Sequence, residues 1–228
     1  MTDEHSCTLS PPPAEAERLF GEHLPAMARY AELLAGPGVE RGLIGPREVD
    51  RLWERHLLNC GAVAELIAPG LDVVDVGSGG GLPGLVLAIA RPDLRITLLE
   101  PLLRRTVFLS ECVERLELRN VEVRRGRAEE WAGRVAADVV TARAVASLEK
   151  LVGWCLPLLA PKGHMLALKG ETAASELEAV APKLQSLGAV KWSVVEVGAE
   201  LGDAATRVVR IDLGAQGYRK PRSRRAAK

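Results

Sequence analysis

Aromatic side chains are scarce, at 4% of 228 residues, although 47% of the chain is hydrophobic. Leu, Val and Ala must therefore build most of the core. Long apolar runs are missing as well. No stretch of roughly 18 apolar residues reads as a membrane span. The start of the chain carries Asp3, Glu4, Glu15 and Glu17 and no apolar segment, so no secretory signal is read there. The four cysteines, Cys7, Cys60, Cys112 and Cys155, are widely spaced and form no C-x-x-C pair. That spacing fits neither a disulfide framework nor a zinc site. The expectation is a cytoplasmic protein with reduced thiols, no metal and no membrane. Net charge is missing too, because 30 basic and 30 acidic residues cancel. The cancellation is uneven, however. The last eleven residues, "YRKPRSRRAAK", hold Arg219, Lys220, Arg222, Arg224, Arg225 and Lys228 and no acid. Taking these six from the 30 cations leaves 24 against 30 acids in the body. A basic tail on a mildly acidic body suits a polyanion, and a merely solvated terminus is the plain alternative.

What is present suggests one α/β domain and a small extension. Residues 1–13 end in Pro11-Pro12-Pro13 and are read as disordered, without helix or sheet. Residues 14–70 read as a helical cap. Its first helix spans 14–35 with a break at Pro25, and the loop "GPGVERGLIGP" comes next. Its second helix spans 47–67, where Val49, Trp53, His56, Cys60, Val63 and Ile67 recur at three and four residues and make one apolar stripe. Pro69-Gly70 stops it.

The period changes after residue 70. Strands at 72–76, 95–100, 121–125, 137–142 and 164–169 alternate with helices at 83–90, 102–117, 147–159 and 173–187. Two alternating strands, 190–197 and 206–213, close the sheet as an antiparallel pair. The fold class is therefore α/β: a doubly wound, mostly parallel, seven-stranded Rossmann-like sheet with an N-terminal helical extension. Residues 71–213 form the ligand-binding domain and 214–228 the basic tail. In such sheets the ligand sits beyond the carboxyl ends of the strands.

"VVDVGSGGGLPG" (73–84) lies at that place. Four glycines within five positions, 77, 79, 80 and 81, exceed what one tight turn needs. A G-x-G-x-x-G is present as Gly79, Gly81 and Gly84, but it begins too far from the strand for a dinucleotide site. Asp75, Gly77 and Gly79 spell D-x-G-x-G instead, which fits S-adenosylmethionine. Asp75 at the strand end can serve its ammonium group, with Gly77, Ser78 and Gly79 forming the loop. Glu100 ends the second strand and can accept both ribose hydroxyls. An NAD-dependent oxidoreductase remains the rival, since NAD sites place an acid similarly; the closing antiparallel strands favour the methyltransferase architecture.

The acceptor is read from the segment after the fourth strand. "VVTARAVASL" lacks the Asn/Asp-Pro-Pro-aromatic of exocyclic-amine methyltransferases. Cys155 falls inside a helix, as core rather than nucleophile. Arg143 and Lys169 remain at strand ends, with no evident general base. They are candidates for positioning and electrostatics around an acceptor already unprotonated, such as a purine ring nitrogen.

Six pieces then occur in order: "WERHLLNC" (53–60), "VVDVGSGGGLPG", "LLEPLLRRTVFL" (98–109), "RGRAEE" (125–130), "TARAVASL" (141–148) and "LKG" (168–170). Together, over residues 26 to 213, the chain resembles the bacterial small-subunit rRNA methyltransferase G family, also called glucose-inhibited division protein B. The one departure noted is Thr141, where serine is expected. The resemblance implies a class I methyltransferase that moves a methyl group from S-adenosylmethionine to guanine N7 in the 530 loop of 16S rRNA. It implies that Gly77, Leu82, Ala128, Glu129 and Arg143 contact the cofactor, with Ala128 and Glu129 beside adenine. It favours Arg55 and His56 as residues that line the substrate side, a half-buried histidine bonded to backbone being the plainer reading of His56; Lys169, from its strand-end charge, is a further substrate-binding candidate. The partner is 16S rRNA, a precursor particle or the small subunit, and a monomer is expected. Arg104 and Arg105 read as a surface pair, either solvated or on RNA, and the four tryptophans as packing. The rivals in function are the oxidoreductase, a non-catalytic RNA- or ribosome-binding module, and a small-molecule methyltransferase.

Overall fold

The computed structural model describes residues 9–143 and 146–220. The readings made for residues 1–8 and 221–228 lie outside the described residues. One seven-stranded sheet organises the chain, in the order β3-β2-β1-β4-β5-β7-β6. Its strands are β1 (Asp72–Val76), β2 (Arg95–Glu100), β3 (Val121–Arg125), β4 (Ala137–Arg143), β5 (Leu159–Lys169), β6 (Ala189–Val197) and β7 (Thr206–Leu213). The first five are parallel; β7 runs antiparallel to β5 and to β6. The expected doubly wound sheet with its antiparallel closure is therefore the fold. The order reverses at β1 and β4, and a crevice opens there at the carboxyl ends.

Alternation along the strands divides the core in two. Val73, Ile96, Leu98, Val139, Leu166 and Val208 face one side. Val74, Val76, Leu99, Val140, Ala167 and Val209 face the other. The first side is covered by α4 (Gly84–Ala90), α5 (Leu103–Arg115) and the N-terminal helices. The second is covered by α7 (Leu148–Cys155) and α8 (Ala173–Leu184), with the short α6 (Ala128–Trp131) beside them. Cys60, Cys112 and Cys155 are buried free thiols.

The N-terminal region is helical as expected, but less regular. The break falls at Gly21, with φ +48, between α1 (Ala14–Phe20) and α2 (Leu24–Leu33). Pro25 sits in the first turn of α2, where its missing N–H costs nothing. The expected loop after residue 35 begins instead as a π turn, Leu34–Gly38. The stripe helix winds through a 3-10 turn Pro46–Arg51, a π segment Trp53–Leu58, α3 (Asn59–Gly61) and a second 3-10 turn Ala62–Leu66. Its stripe is nonetheless right: Val49, Trp53, Cys60, Val63 and Ile67 are buried. Residues 9–13 hold neither helix nor strand, yet they are tied down. Leu9 packs on the core, and Trp53 Nε1 donates to the Ser10 carbonyl at 3.0 Å. The cap and the sheet share one continuous core, in which Tyr30, Met27, Leu52 and Leu57 are fully enclosed. Each such side chain stabilises the fold by about 1.5–3 kcal/mol.

Candidate active site

The glycine loop is shaped from behind. Gly77, Gly79 and Gly81 have φ of +70, +56 and +101, conformations that side chains strain. The loop amides are anchored on β2: Gly77 N donates to Leu99 O at 2.8 Å, and Gly79 N to Glu100 Oε2 at 3.0 Å. Ser78 is buried and its hydroxyl donates to the Asp75 carbonyl at 2.9 Å. Tyr30 reaches from α2 and donates to the Gly80 carbonyl at 2.7 Å. Gly84 opens α4 so close to β1 that a Cβ there would strike Leu98 and lie 2.8 Å from Asp75 Oδ2.

Asp75 is fully buried under this loop. One oxygen accepts from Gly84 N at 3.2 Å and the other from the Thr141 hydroxyl at 3.0 Å. Burial pushes its pKa up to about 6, against the pull of Thr141. Asp75 was expected to serve the ammonium group directly or through water; in the structure both its oxygens are engaged by the protein. It shares the parity of Val73, which faces the cap side, and it holds the loop and the start of α4 together.

A cavity of about 300 Å³ opens beside the loop. Leu99, Leu102, Ala128 and Trp154 supply apolar walls, with Gly77 and Glu129 at its edge. Glu100 is its buried carboxylate. Oε1 accepts from Leu102 N at 3.0 Å and Oε2 from Gly79 N. Arg105 Nη1 lies 3.6 Å from Oε2. A carboxylate has about four acceptor sites, so capacity remains for hydroxyl donors. An acid set in apolar walls suits a nucleoside: hydroxyls to the acid, base against Leu102 and Ala128.

A second, larger cleft of about 700 Å³ lies over the ends of β4 and β5. Arg55, His56, Arg143 and Lys169 all line it, so the structure brings the expected substrate-side residues together. Arg143 reaches back into the cap. Its Nη1 donates to His56 O at 3.4 Å and to Cys60 Sγ at 2.9 Å, and its Nη2 to Arg55 O at 3.2 Å and to His56 Nδ1. The His56 ring is bonded to side chains rather than to backbone. Its Nε2 meets Glu48 Oε2 at 2.9 Å. Burial and then Arg143 push the His56 pKa below its usual value. Burial pushes the Cys60 thiol up. Lys169 is held by Glu176 at 2.8 Å and by the Ala146 carbonyl at 2.9 Å. Glu176 also accepts from Leu148 N and the Thr172 hydroxyl. Lys169 thereby ties the end of β5 to the starts of α7 and α8.

Residues 23–205 match the family model described as rRNA small subunit methyltransferase G. The chain is 62% identical over 202 residues to the ribosomal RNA small subunit methyltransferase G of Thermobifida fusca, covering 88% of this chain and 85% of that one. The chain belongs to this family. The counterpart in Streptomyces avermitilis is 58% identical over 207 residues, covering 90% of this chain and 87% of the other. Among solved structures the fold is similar to an S-adenosylmethionine-dependent O-methyltransferase from Thermotoga maritima, with a TM-score of 0.54 at 14% identity over 72% of this chain and 66% of that one. A methyltransferase from Pyrococcus furiosus gives 0.53 at 14% identity, over 67% and 79%. Both show the class I methyltransferase fold.

Against this family, Gly77, Ala128, Glu129 and Glu100 share the smaller cavity. Leu82 is half-buried and packs on the cap-side core. Arg143 lines the larger cleft with the cap residues. Three site residues escaped the sequence. Arg105 lines the smaller cavity beside Glu100 and is only partly exposed, and nothing in its local pattern announced it. Trp154 is a wall as well as packing. Glu48 lines the cleft through its bond to His56, and nothing in its local pattern announced it.

Proposed function

We infer that the chain transfers a methyl group from S-adenosylmethionine to small-subunit rRNA, and that the acceptor is N7 of a guanine in the 530 loop of 16S rRNA. The observation that carries the reading is the pairing of two cavities on one strand-end edge. One presents the Glu100 carboxylate within apolar walls. The other is lined by Arg55 and Arg143, with Lys169 paired to Glu176, beside an imidazole bonded at both nitrogens. The donor set fits the cofactor: Glu100 for the ribose, Leu102 and Ala128 for the adenine, and the Gly77 backbone at the cavity wall. S-adenosylmethionine, when bound, supplies a methyl group on a sulfonium, which needs only a lone pair. Guanine N7 carries one at neutral pH, so no proton has to leave. The chain's contribution is then alignment, exclusion of water and placement of charge.

His56 cannot act as a base here, because its Nδ1 is held by Arg143 and its Nε2 by Glu48. The acceptor base must leave its stack to reach the cleft, as enzymes acting on bases require. The reading extends to a monomer working in the cytoplasm on rRNA, a precursor particle or the small subunit. Among the described residues no helix is long and apolar enough to cross a membrane, and no cluster of three or more metal-ligating side chains is found.

The test is mass mapping of 16S rRNA from cells with and without the protein, joined to single-turnover transfer on undermethylated RNA. The expected result is loss of one methyl at one 530-loop guanine and a rate that varies little between about pH 6.5 and 8.5. A rate rising tenfold per pH unit across that range would overturn the N7 assignment. Tight RNA binding without transfer would leave a non-catalytic module.

A further inference from the structure

Arg143 is half-buried and donates to four acceptors, two carbonyls, a thiol sulfur and an imidazole nitrogen, none of them an acid. Its charge is therefore held in place without being neutralised by these partners. That arrangement depends on which nitrogen of His56 carries the proton. A guanidinium has donors only, so the His56 Nδ1 that faces it must be the acceptor. The ring proton then sits on Nε2 and is donated to Glu48 Oε2 at 2.9 Å. Glu48 stands on the 3-10 turn Pro46–Arg51 and His56 on the π segment Trp53–Leu58. A π segment displaces carbonyls from the regular ladder, and Arg55 O and His56 O are the two that receive Arg143.

We propose that Glu48 is a positioning residue for methyl transfer: it fixes the Nε2–H tautomer of His56 and so holds the Arg143 guanidinium, still charged, in the acceptor cleft. The proposal rests on the reading of that cleft as the acceptor side. A cation held there favours a base edge rich in acceptors, as the O6/N7 edge of guanine is. Without Glu48 the ring can take the other tautomer, and an Nδ1–H would then point at the Arg143 donor. Protonation does the same. The groups facing the ring are Glu48, which favours protonation, and Arg143 and Arg55, which oppose it along with burial; the Cys60 thiol beside Arg143 stays uncharged. The balance lies below the usual histidine value, so the ring is neutral at pH 7 and the latch loosens only in more acidic solution.

The experiment uses the full chain with ¹⁵N-labelled histidine, the His56 signal being assigned by its absence in H56N. The wild-type ring is expected as the neutral Nε2–H tautomer at pH 7.5, shifting toward Nδ1–H in E48A. Single-turnover transfer should fall about tenfold in E48A, the scale of one charge-assisted hydrogen bond. E48Q, whose amide oxygen still accepts from Nε2–H, should restore most of that loss. In H56N the amide oxygen takes the place of Nδ1 toward Arg143, so adding E48A should cost nothing further. A wild-type ring in the Nδ1–H form would overturn the proposal. So would an E48A loss that is the same in the H56N background. The tautomer is read without turnover; failure of wild type to methylate RNA would count against the function instead.

Discussion

Thr141 is the residue at which the chain departs from the expected serine, and its hydroxyl keeps the bond a serine there could make. Either residue can donate to Asp75 Oδ1, as Thr141 does at 3.0 Å. Thr141→Val keeps the volume and removes the donor. Asp75 has a native pKa of about 6, above the value near 3.8 of a free carboxyl. The native state therefore holds this proton more tightly than the unfolded state, and Asp75 opposes folding increasingly as pH rises from about 4 through 6. Above pH 6 the buried carboxylate is charged and needs its donors most. T141V should cost about 1.5–3 kcal/mol at pH 7.5, the range for a bond to a charged group. At pH 5, where Asp75 is protonated, the cost should shrink. Urea denaturation of both proteins at the two pH values checks this.

At the scale of elements, the cap and the glycine loop meet at one hydroxyl. Tyr30 is fully enclosed and donates to the Gly80 carbonyl at 2.7 Å. Tyr30→Phe leaves that carbonyl without its partner and should cost about 1–2 kcal/mol. It also frees the loop that frames the cavity proposed for the nucleoside, so S-adenosylmethionine should bind several-fold more weakly in calorimetry while the fold persists. No local pattern predicted this contact, since 50 residues separate its partners. The strands were legible for the opposite reason. "DVVDV", "RITLLE" and "VEVRR" are short β-rich runs between breakers, and each occupies the expected residues. The glycine loop and Glu100 were legible as well, because strand-end position follows from the alternation of elements. The side on which Asp75 lies was legible too, from its parity with Val73 along the strand. The irregular helix at 46–66 was not legible: its π and 3-10 turns bring Glu48 to His56 and open carbonyls toward Arg143, and these are tertiary demands.

The whole molecule is anchored further along than composition suggested. Gly214 N donates to Gly188 O at 3.0 Å, Arg219 N donates to Leu187 O at 2.9 Å, and Tyr218 packs on the second core. The start of the basic tail is therefore docked on the body. Removing residues 221–228 takes away Arg222, Arg224, Arg225 and Lys228 without touching this dock. If these cations track phosphates, RNA affinity should fall, and the slope of log affinity against log salt should flatten by up to about 3 units. Cofactor affinity and the methylated position should be unchanged. Filter binding over a salt series, with mass mapping, checks it; equal slopes would return the RNA surface to Arg55 and Arg104.

The strand order sets a timetable for the chain as it is made. The five parallel strands each find a neighbour within their own set, but β6, among the described strands, pairs with β7 alone. During synthesis β6 therefore appears before that partner exists, and β5 keeps an open edge until the final strand slots between them. Five strands and the cap can assemble on the nascent chain; the sixth must wait for the seventh. That leaves an unpaired β5 edge and a waiting strand as the sticky surface until β7 has been made.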